Sequence, residues 1–220
     1  MKTVRYVLSL MLFVSVLLLT GCNIRYNVSC ELNNECIYTL DGEITSLEIG
    51  GGADVVVDTT VAKNQVRVLA NTDDFSKLVV KEEGDRLMIY HKRNTGNREY
   101  KVYVPACGYK VLAVSGGSDL EWNYCDVDDL AVTVSGGADC EIKGRCNSLA
   151  VAASGGADVD LEKLVAYNVS VVASGGADTN LCAVKTIAVT ASGGSDVYIE
   201  GTPQITGWSV SGGADVHIKK

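Results

Sequence analysis

Aspartate recurs through this chain at a regular spacing. The string Ser-Gly-Gly-Ala/Ser-Asp occurs six times, and a seventh copy, Gly50–Asp54, has Gly in place of Ser. The seven motif aspartates, called the acidic column below, are Asp54, Asp119, Asp139, Asp158, Asp178, Asp196 and Asp215. From Asp119 onward they are 20, 19, 20, 18 and 19 residues apart. Carboxylates repeated in this way could accept hydrogen bonds from turn amides or bind hard cations such as Ca²⁺.

We favour the structural role for the acidic column, with no metal site predicted. The Ca²⁺-binding repeat of secreted toxins has the order Gly-Gly-x-Gly-x-Asp and a nine-residue period, and this chain matches neither. A second polar column lies two residues further along: Glu121, Glu141, Asp160, Asn180, Tyr198 and His217. Together the two columns predict an acidic ribbon in which neighbouring charges repel by roughly 1 kcal/mol in water.

The other candidate groups do not form a catalytic set. His91 and His217 are the only histidines, and neither has sequence neighbours typical of a triad or a zinc site. The acids recur in every repeat, which suggests a structural role rather than one active site. We therefore predict that the protein is not an enzyme. The alternatives are a carbohydrate-active β-helix enzyme of the polysaccharide lyase or hydrolase kind, and a purely structural spacer of the cell envelope.

Eight cysteines permit disulfides if the protein is exported. Cys30 and Cys36 could close a small loop. Cys125 follows its motif aspartate by six residues and Cys146 follows the next by seven, so we predict that they meet in adjacent return turns and form a second disulfide. Cys140 occupies an apolar column and is predicted to be a buried thiol.

The elements that position these groups follow from the repeat. Alternate positions around each motif are apolar, which is typical of strands with one buried face. Relative to the aspartate, the apolar positions are −7, −5, +1 and +3, for example Val132, Val134, Cys140 and Ile142. A period near 19 residues suits one coil of a solenoid, with Gly-Gly at a corner. We predict an all-β fold, a single-stranded right-handed parallel β-helix of at least six coils with the acidic column in one row.

Residues 43–110 form a less regular N-terminal β segment, whereas residues 111–220 are the regular β-helix. Strands are predicted at Gln65–Ala70, Lys77–Lys81, Arg86–His91 and Tyr100–Val104. The 65 residues from Asp54 to Asp119 would fill about three longer coils at typical β-helix perimeters. A separate small sheet domain is the alternative.

A second outward face of the β-helix carries only small or uncharged residues. This uncharged face contains Val111, Ala131, Ala150, Ser170, Ala188, Gly207, Ala113, Thr133, Ala152, Val172, Thr190 and Ser209. A contiguous uncharged surface often marks an interface. Coverage by the N-terminal segment, or a simple preference of flat stacking for small residues, would explain the face equally well.

The N-terminus predicts export. Lys2 and Arg5 precede an apolar run from Tyr6 to Leu19, which is too short for a comfortable transmembrane helix and fits a signal peptide of residues 1–21. The run ends in Leu-Thr-Gly-Cys, which resembles the bacterial lipobox and implies lipidation of Cys22. Acyl chains would tether the protein to a membrane surface, with residues 22–42 as a tether or irregular cap. No acidic cluster follows Cys22, which favours the periplasmic face of the outer membrane over the cell surface.

The whole pattern resembles a known family. A lipoprotein signal, a β-rich segment ending in YKVYVPA and serial VSGGAD repeats are similar to the head GIN domain of putative auto-transporter adhesins, which is common in Bacteroidota. The resemblance covers residues 43–220. It implies a single-stranded right-handed β-helix and, through the family's name, a role in adhesion.

The net charge of the chain limits the classes of partner that it could bind. Residues 1–21 contain two basic residues and no acid, so the remaining chain has 17 basic and 27 acidic residues, a net charge of −10. An acidic body argues against nucleic acid. We predict a lipid-anchored envelope protein that binds a glycan, a protein or a second copy of itself. The last repeat ends at Lys220 without a capping helix, so we expect association through that end, the uncharged face, or both.

Overall fold

The computed structural model describes residues 27–31, 34–92 and 97–219, and all regular elements in these ranges are strands. The first eight are β1 Asn27–Glu31, β2 Glu35–Thr39, β3 Ser46–Gly50, β4 Asp54–Asp58, β5 Gln65–Ala70, β6 Leu78–Glu83, β7 Arg86–His91 and β8 Tyr100–Pro105. The others are β9 Val111–Ser115, β10 Asp119–Gly136, β11 Asp139–Gly155, β12 Asp158–Ala173, β13 Asp178–Ala191, β14 Asp196–Glu200, β15 Gln204–Val210 and β16 Asp215–Lys219.

The regular repeats stack as parallel coils. Asp119 stands opposite Asp139, and the same register continues through every later motif to Asp215. The five steps between these six aspartates make about five solenoid turns. The predicted single row of aspartates and the predicted β-solenoid are therefore confirmed. The longer strands extend from one motif aspartate to the corner of the following motif, as β10 does from Asp119 to Gly136.

The predicted inward columns form the core. In the middle coils the residues at −7, −5, +1 and +3 are buried, as Val132, Val134, Cys140 and Ile142 illustrate. Outward neighbours remain exposed or half-buried, which is the period-two pattern of a sheet with one buried face. A single coil cannot bury its own apolar residues. Stacking the coils places equivalent apolar residues against each other and so forms a continuous apolar interior.

The first motif copy lies directly against the second. β4 pairs in parallel with β10, so that Asp54 stands opposite Asp119, and β3 pairs in parallel with β9. The prediction that three longer coils separate Asp54 from Asp119 is wrong. The residues between these two motifs instead pair on the other side of the first coil, β7 with β3 and β8 with β4.

Residues 58–110 extend both sheets beyond the first coil. β8 pairs in parallel with β4 and β7 with β3, while β5 and β6 add antiparallel strands outside them. Strands β5 and β7 begin and end at the predicted residues, Gln65–Ala70 and Arg86–His91. The alternative of a separate sheet domain is also wrong, since these strands belong to the same hydrogen-bonded network as the coils.

A hairpin closes the N-terminal end of this network. β1 and β2 pair antiparallel, and β2 continues antiparallel onto β5. This part of the segment predicted as a tether or irregular cap is therefore regular β-structure. Cys36 is disulfide-bonded, and Cys30 stands opposite it in the hairpin. The side chain of Cys30 lies outside the described part of the structure, as do residues 1–26, so the Cys30–Cys36 pair, the signal peptide and lipidation of Cys22 stay predictions.

Candidate functional site

The Gly-Gly corner positions the acidic column. The first glycine of each corner has a positive φ, between 67° and 81° from Gly116 to Gly212. A Cβ at Gly155 or Gly175 would lie 3.0 Å from backbone atoms of the preceding corner, which is tighter than most real Cβ contacts. Only glycine permits corners to stack at this distance. The column therefore depends on the glycines as much as on the strands.

The residue just before each aspartate also has a structural role that the sequence pattern did not reveal. It is alanine or serine in every copy, and Ser118, Ala138, Ala157 and Ala177 are fully buried. A larger side chain would enter the core at the corner. Ser118 Oγ accepts hydrogen bonds from the Gly52 and Ala53 amides, at 3.0 and 3.2 Å, and so links the first two corners. The restriction of this position to alanine or serine in every motif was the available signal.

The corner amides do not hold the aspartate carboxylates. Gly156 N donates to Gly136 O at 2.7 Å, and the Asp158 amide donates to Ala138 O at 3.1 Å. Equivalent bonds join the later corners, so these amides are already used between coils. Among the hydrogen bonds of the described residues, none runs from a backbone amide to a carboxylate of the acidic column. The predicted amide-capping role of these carboxylates is therefore wrong.

The carboxylates instead line a concave surface. A groove of about 610 Å³ runs across the outer sides of β4, β10, β11, β12 and β13. Its carboxyl groups come from two columns: Asp54, Asp119, Asp139, Asp158 and Asp178, with Glu121, Glu141 and Asp160 beside them. We call this feature the acidic groove. Asp196 and Asp215 continue the row beyond it.

Few cations lie beside these carboxylates. Lys101 lines one end of the acidic groove, on β8 opposite Asp54. Lys143 forms an ion pair with Glu141 at 2.6 Å, and this hydrogen bond, with the nearby Glu121 and Asp160, raises the pKa of Lys143. The acidic groove therefore presents an excess of negative charge.

The surroundings of Asp119 disfavour its ionised form. Partial burial raises the pKa of its carboxyl group, and the neighbouring charges of Asp54 and Asp139 raise it further. A hydrogen bond with Asp54 acts in the same direction. The ionised form of Asp119 is thus less favourable in the folded protein than in the unfolded chain.

We expect Asp119→Asn to raise the melting temperature at pH 7. A raised folded-state pKa means that ionisation of Asp119 costs stability above that pKa, and that the cost disappears below the ordinary value near 3.9. The gain should be about 1–3 °C, because the group is exposed and screened, and should vanish near pH 3. Differential scanning calorimetry from pH 3 to 8 measures it. Asp41→Asn, which removes an exposed charge outside the groove, is the control. A lower melting temperature at pH 7 would contradict the repulsion.

The residues of the uncharged face, which were predicted to point outward, are exposed or half-buried in the structure. Thr133, Ala152 and Thr190 on it are exposed, and so are the larger Val111 and Val172. The N-terminal hairpin pairs with β5 rather than with strands of this face, so it does not cover the face in the way considered from the sequence. An interface role for the uncharged face stays a prediction.

The described cysteines of the coils are free thiols. Cys140 is buried and free, as predicted. The predicted Cys125–Cys146 disulfide is wrong, since both thiols are free. A bulge after Trp122 aligns Cys125 with Gly144 and Cys146 with Val127, which widens the offset between the two cysteines to two residues. Burial raises the pKa of Cys125 to about 12 and that of Cys146 to about 11.

Metal-ligand clusters and membrane-spanning helices are both absent from the described ranges. Within them, no group of three or more His, Cys, Asp or Glu side chains is placed to hold a metal ion. The same ranges contain no helix long and apolar enough to cross a membrane.

Fold and site together define a β-solenoid protein with a repetitive acidic surface. Residues 43–203 match the family described as "Putative auto-transporter adhesin, head GIN domain". The match covers more than half of the chain, so this chain belongs to that family, as the resemblance in its repeats predicted. No match was found among curated proteins.

Solved structures share the fold. A putative adhesin from Bacteroides fragilis NCTC 9343 superposes with a TM-score of 0.66 at 16% identity, covering 84% of this chain and 96% of that one. A putative lipid binding protein from Parabacteroides distasonis ATCC 8503 has a TM-score of 0.50 at 16% identity, covering 86% of this chain and 98% of the other. At these identities the likeness concerns the fold alone.

Proposed function

We propose that this protein is a lipid-anchored, non-enzymatic binding protein of the bacterial envelope. In this proposal its acidic groove receives an elongated partner that carries positive charges. The observation that carries the proposal is the row of exposed carboxylates from five strands that are neighbours in the sheet, along one concave surface. Membership of an adhesin-like family supports attachment rather than catalysis.

Charge complementarity favours a cationic partner. The corner amides are engaged between coils, so the carboxylates of the column keep their acceptor capacity for a ligand. Burial raises the pKa of Asp119, and the charges of Asp54 and Asp139 raise it further; a bound cation would relieve that repulsion. Five carboxylates at strand spacing span about 19 Å, which an extended peptide of about six residues matches. We infer that the partner is a basic polypeptide segment.

The regularity of the acidic groove argues against the alternative of a carbohydrate-active enzyme. General acid–base catalysis needs two groups whose surroundings push their pKa values apart. Here equivalent carboxylates occupy equivalent positions on successive coils. A structural spacer remains the second candidate, and it would need no groove with selective affinity.

Anchoring rests on the N-terminal sequence. Lys2, Arg5, the apolar run and the lipobox-like end at Cys22 support export and lipidation, and residues 22–26 would connect the lipid to the hairpin. We propose that the protein is held at the outer membrane in this way. The anchor would place the coils next to the membrane surface, where partners on the envelope are within reach.

Binding of labelled hexalysine by the chain from Asn23 onward tests the groove. We expect Asp139→Asn with Asp158→Asn to weaken binding about tenfold at low salt, because two central charges are lost. The matched control, Asp41→Asn with Asp73→Asn, removes the same charge from exposed sites outside the groove and should leave affinity within about twofold. Fluorescence anisotropy gives the dissociation constants.

Other outcomes would assign the groove differently. An equal loss in both double variants would show that binding follows net charge and not the groove. Hexaglutamate and a neutral peptide should not bind. Binding of neutral glycan oligomers that ignores the Asp139 and Asp158 changes would contradict the cationic partner. No binding by any of these probes would favour the structural spacer.

A further inference from the structure

The C-terminal coil leaves an apolar layer open. Ile205, Trp208, Val210 and Ile218 continue columns that are buried in the preceding coils, yet Trp208 is 46% exposed and Ile218 is 39% exposed. Directly beneath them, Ile187, Val189, Ala191 and Ile199 are buried. An exposed patch of this kind marks an interaction surface.

The outer strand edges at this end are also unpaired within the described residues. β16 pairs with β14 and β15 pairs with β13, and no other described strand joins either of them. At the opposite end of the molecule, antiparallel strands close the sheets: β5 pairs with β8, and β2 with β5. Open edges need such cover, because free N–H and C=O groups invite strand pairing.

The sequence of β16 is complementary to itself in the antiparallel direction. If His217 lies opposite His217 of a second copy, Asp215 lies opposite Lys219 and Val216 opposite Ile218. The outward side then forms two opposite-charge pairs, and the inward side forms two apolar pairs that extend the core. A two-fold axis requires this kind of self-complementarity, and cross-strand pairs of these types are stabilising.

We propose that two copies of this chain associate end to end through antiparallel pairing of β16 with β16, centred on His217. The pairing covers Ile218 and the neighbouring apolar layer and removes one open edge. The association does not depend on the cationic partner proposed above. It leaves the acidic grooves of both copies accessible, because the groove ends at β13.

Cysteine cross-linking in the full-length, membrane-attached protein tests the register. In an antiparallel pair, directly opposite residues have Cα atoms about 4.5–5.5 Å apart, within disulfide reach. We expect His217→Cys to give a dimer on a non-reducing gel, at least about fivefold above the unsubstituted chain. Tyr198→Cys is the matched control, since it lies in the same outward column one coil earlier. It should stay at the background level.

Charge reversal provides the independent check. Lys219→Asp in the His217→Cys background should reduce the dimer severalfold, because Asp215 would then face another carboxylate. Adding Asp215→Lys should restore it. Thermal unfolding of each variant confirms that the coils remain folded.

Two results would overturn the proposal. One is a His217→Cys yield no greater than that of Tyr198→Cys in folded protein. The other is a dimer that is unaffected by the charge reversal, because the proposed register would then be wrong.

Discussion

Replacing Gly144 with alanine is expected to destabilise the protein by more than about 4 kcal/mol. Gly144 has φ +136°, and a Cβ there would overlap the Cys125 carbonyl oxygen of the preceding coil. No side-chain rotation can relieve a clash between a Cβ and backbone. The coils would have to separate at this point, which would break parallel pairing between β10 and β11.

Gly137→Ala is the matched control for this change. Gly137 lies in the corner of the same coil and has no positive φ, and a methyl group added there would meet no atom within 4 Å. We expect its effect to stay within about 1 kcal/mol. Urea unfolding followed by circular dichroism measures both variants. Equal stabilities would mean that the coils are not packed as closely at Gly144 as the structure has them.

The second large effect concerns two adjacent valines. Val171 is 1% exposed and points into the core, whereas Val172 is 47% exposed on the uncharged face. Val171→Asp should cost more than about 4 kcal/mol and prevent stable folding, because an unpaired carboxylate would enter the apolar interior. Val172→Asp should cost no more than about 1 kcal/mol, chiefly through its lower strand propensity.

This pair measures the register of the strand. The two substitutions are identical in chemistry and differ by one position, so only the direction of the side chain separates them. Soluble yield and the melting temperature are the readouts. Similar losses of melting temperature in both variants would contradict the inward and outward alternation of Val171 and Val172. A larger loss for Val172→Asp would indicate that the uncharged face is buried in an assembly of the protein.

End-to-end pairing of two chains would affect how strongly the acidic groove binds a partner. A repetitive surface such as the acidic groove gains strength when several weak contacts act together. End-to-end pairing of two chains would double the number of grooves that one assembly presents. With the lipid anchor proposed above on each chain, the pair would be held at the membrane by two anchors.

The solenoid could be predicted from sequence because its information is local. Ile142 and Leu161 are inward for the same reason that Glu141 and Asp160 are outward, namely their distance from a Gly-Gly corner. A repeat near 19 residues places equivalent residues one coil apart without any knowledge of the rest of the chain. The row from Asp119 to Asp215 followed from this spacing and is confirmed.

Non-local features could not be obtained in this way. That Asp54 lies opposite Asp119 depends on the path of the 64 residues between them, and no periodicity in the sequence indicates that path. The Cys125–Cys146 prediction failed because one extra residue in β10 shifts the register, and a bulge has no strong sequence signal. The hydrogen-bond acceptors of the corner amides were predicted wrongly, because they lie in the preceding coil rather than on the aspartate side chain.

By itself, the amino-acid sequence determined the all-β repeat, the inward and outward columns and the need for glycine at the corners, since each depends on neighbours at fixed spacing. Tertiary structure alone decided that the carboxylates of five strands share one groove, that antiparallel strands close the N-terminal end and that Trp208 and Ile218 remain exposed at the other. The reason is that curvature, closure and exposure belong to the stacked assembly of coils. They arise only when distant strands meet, and no single repeat contains them.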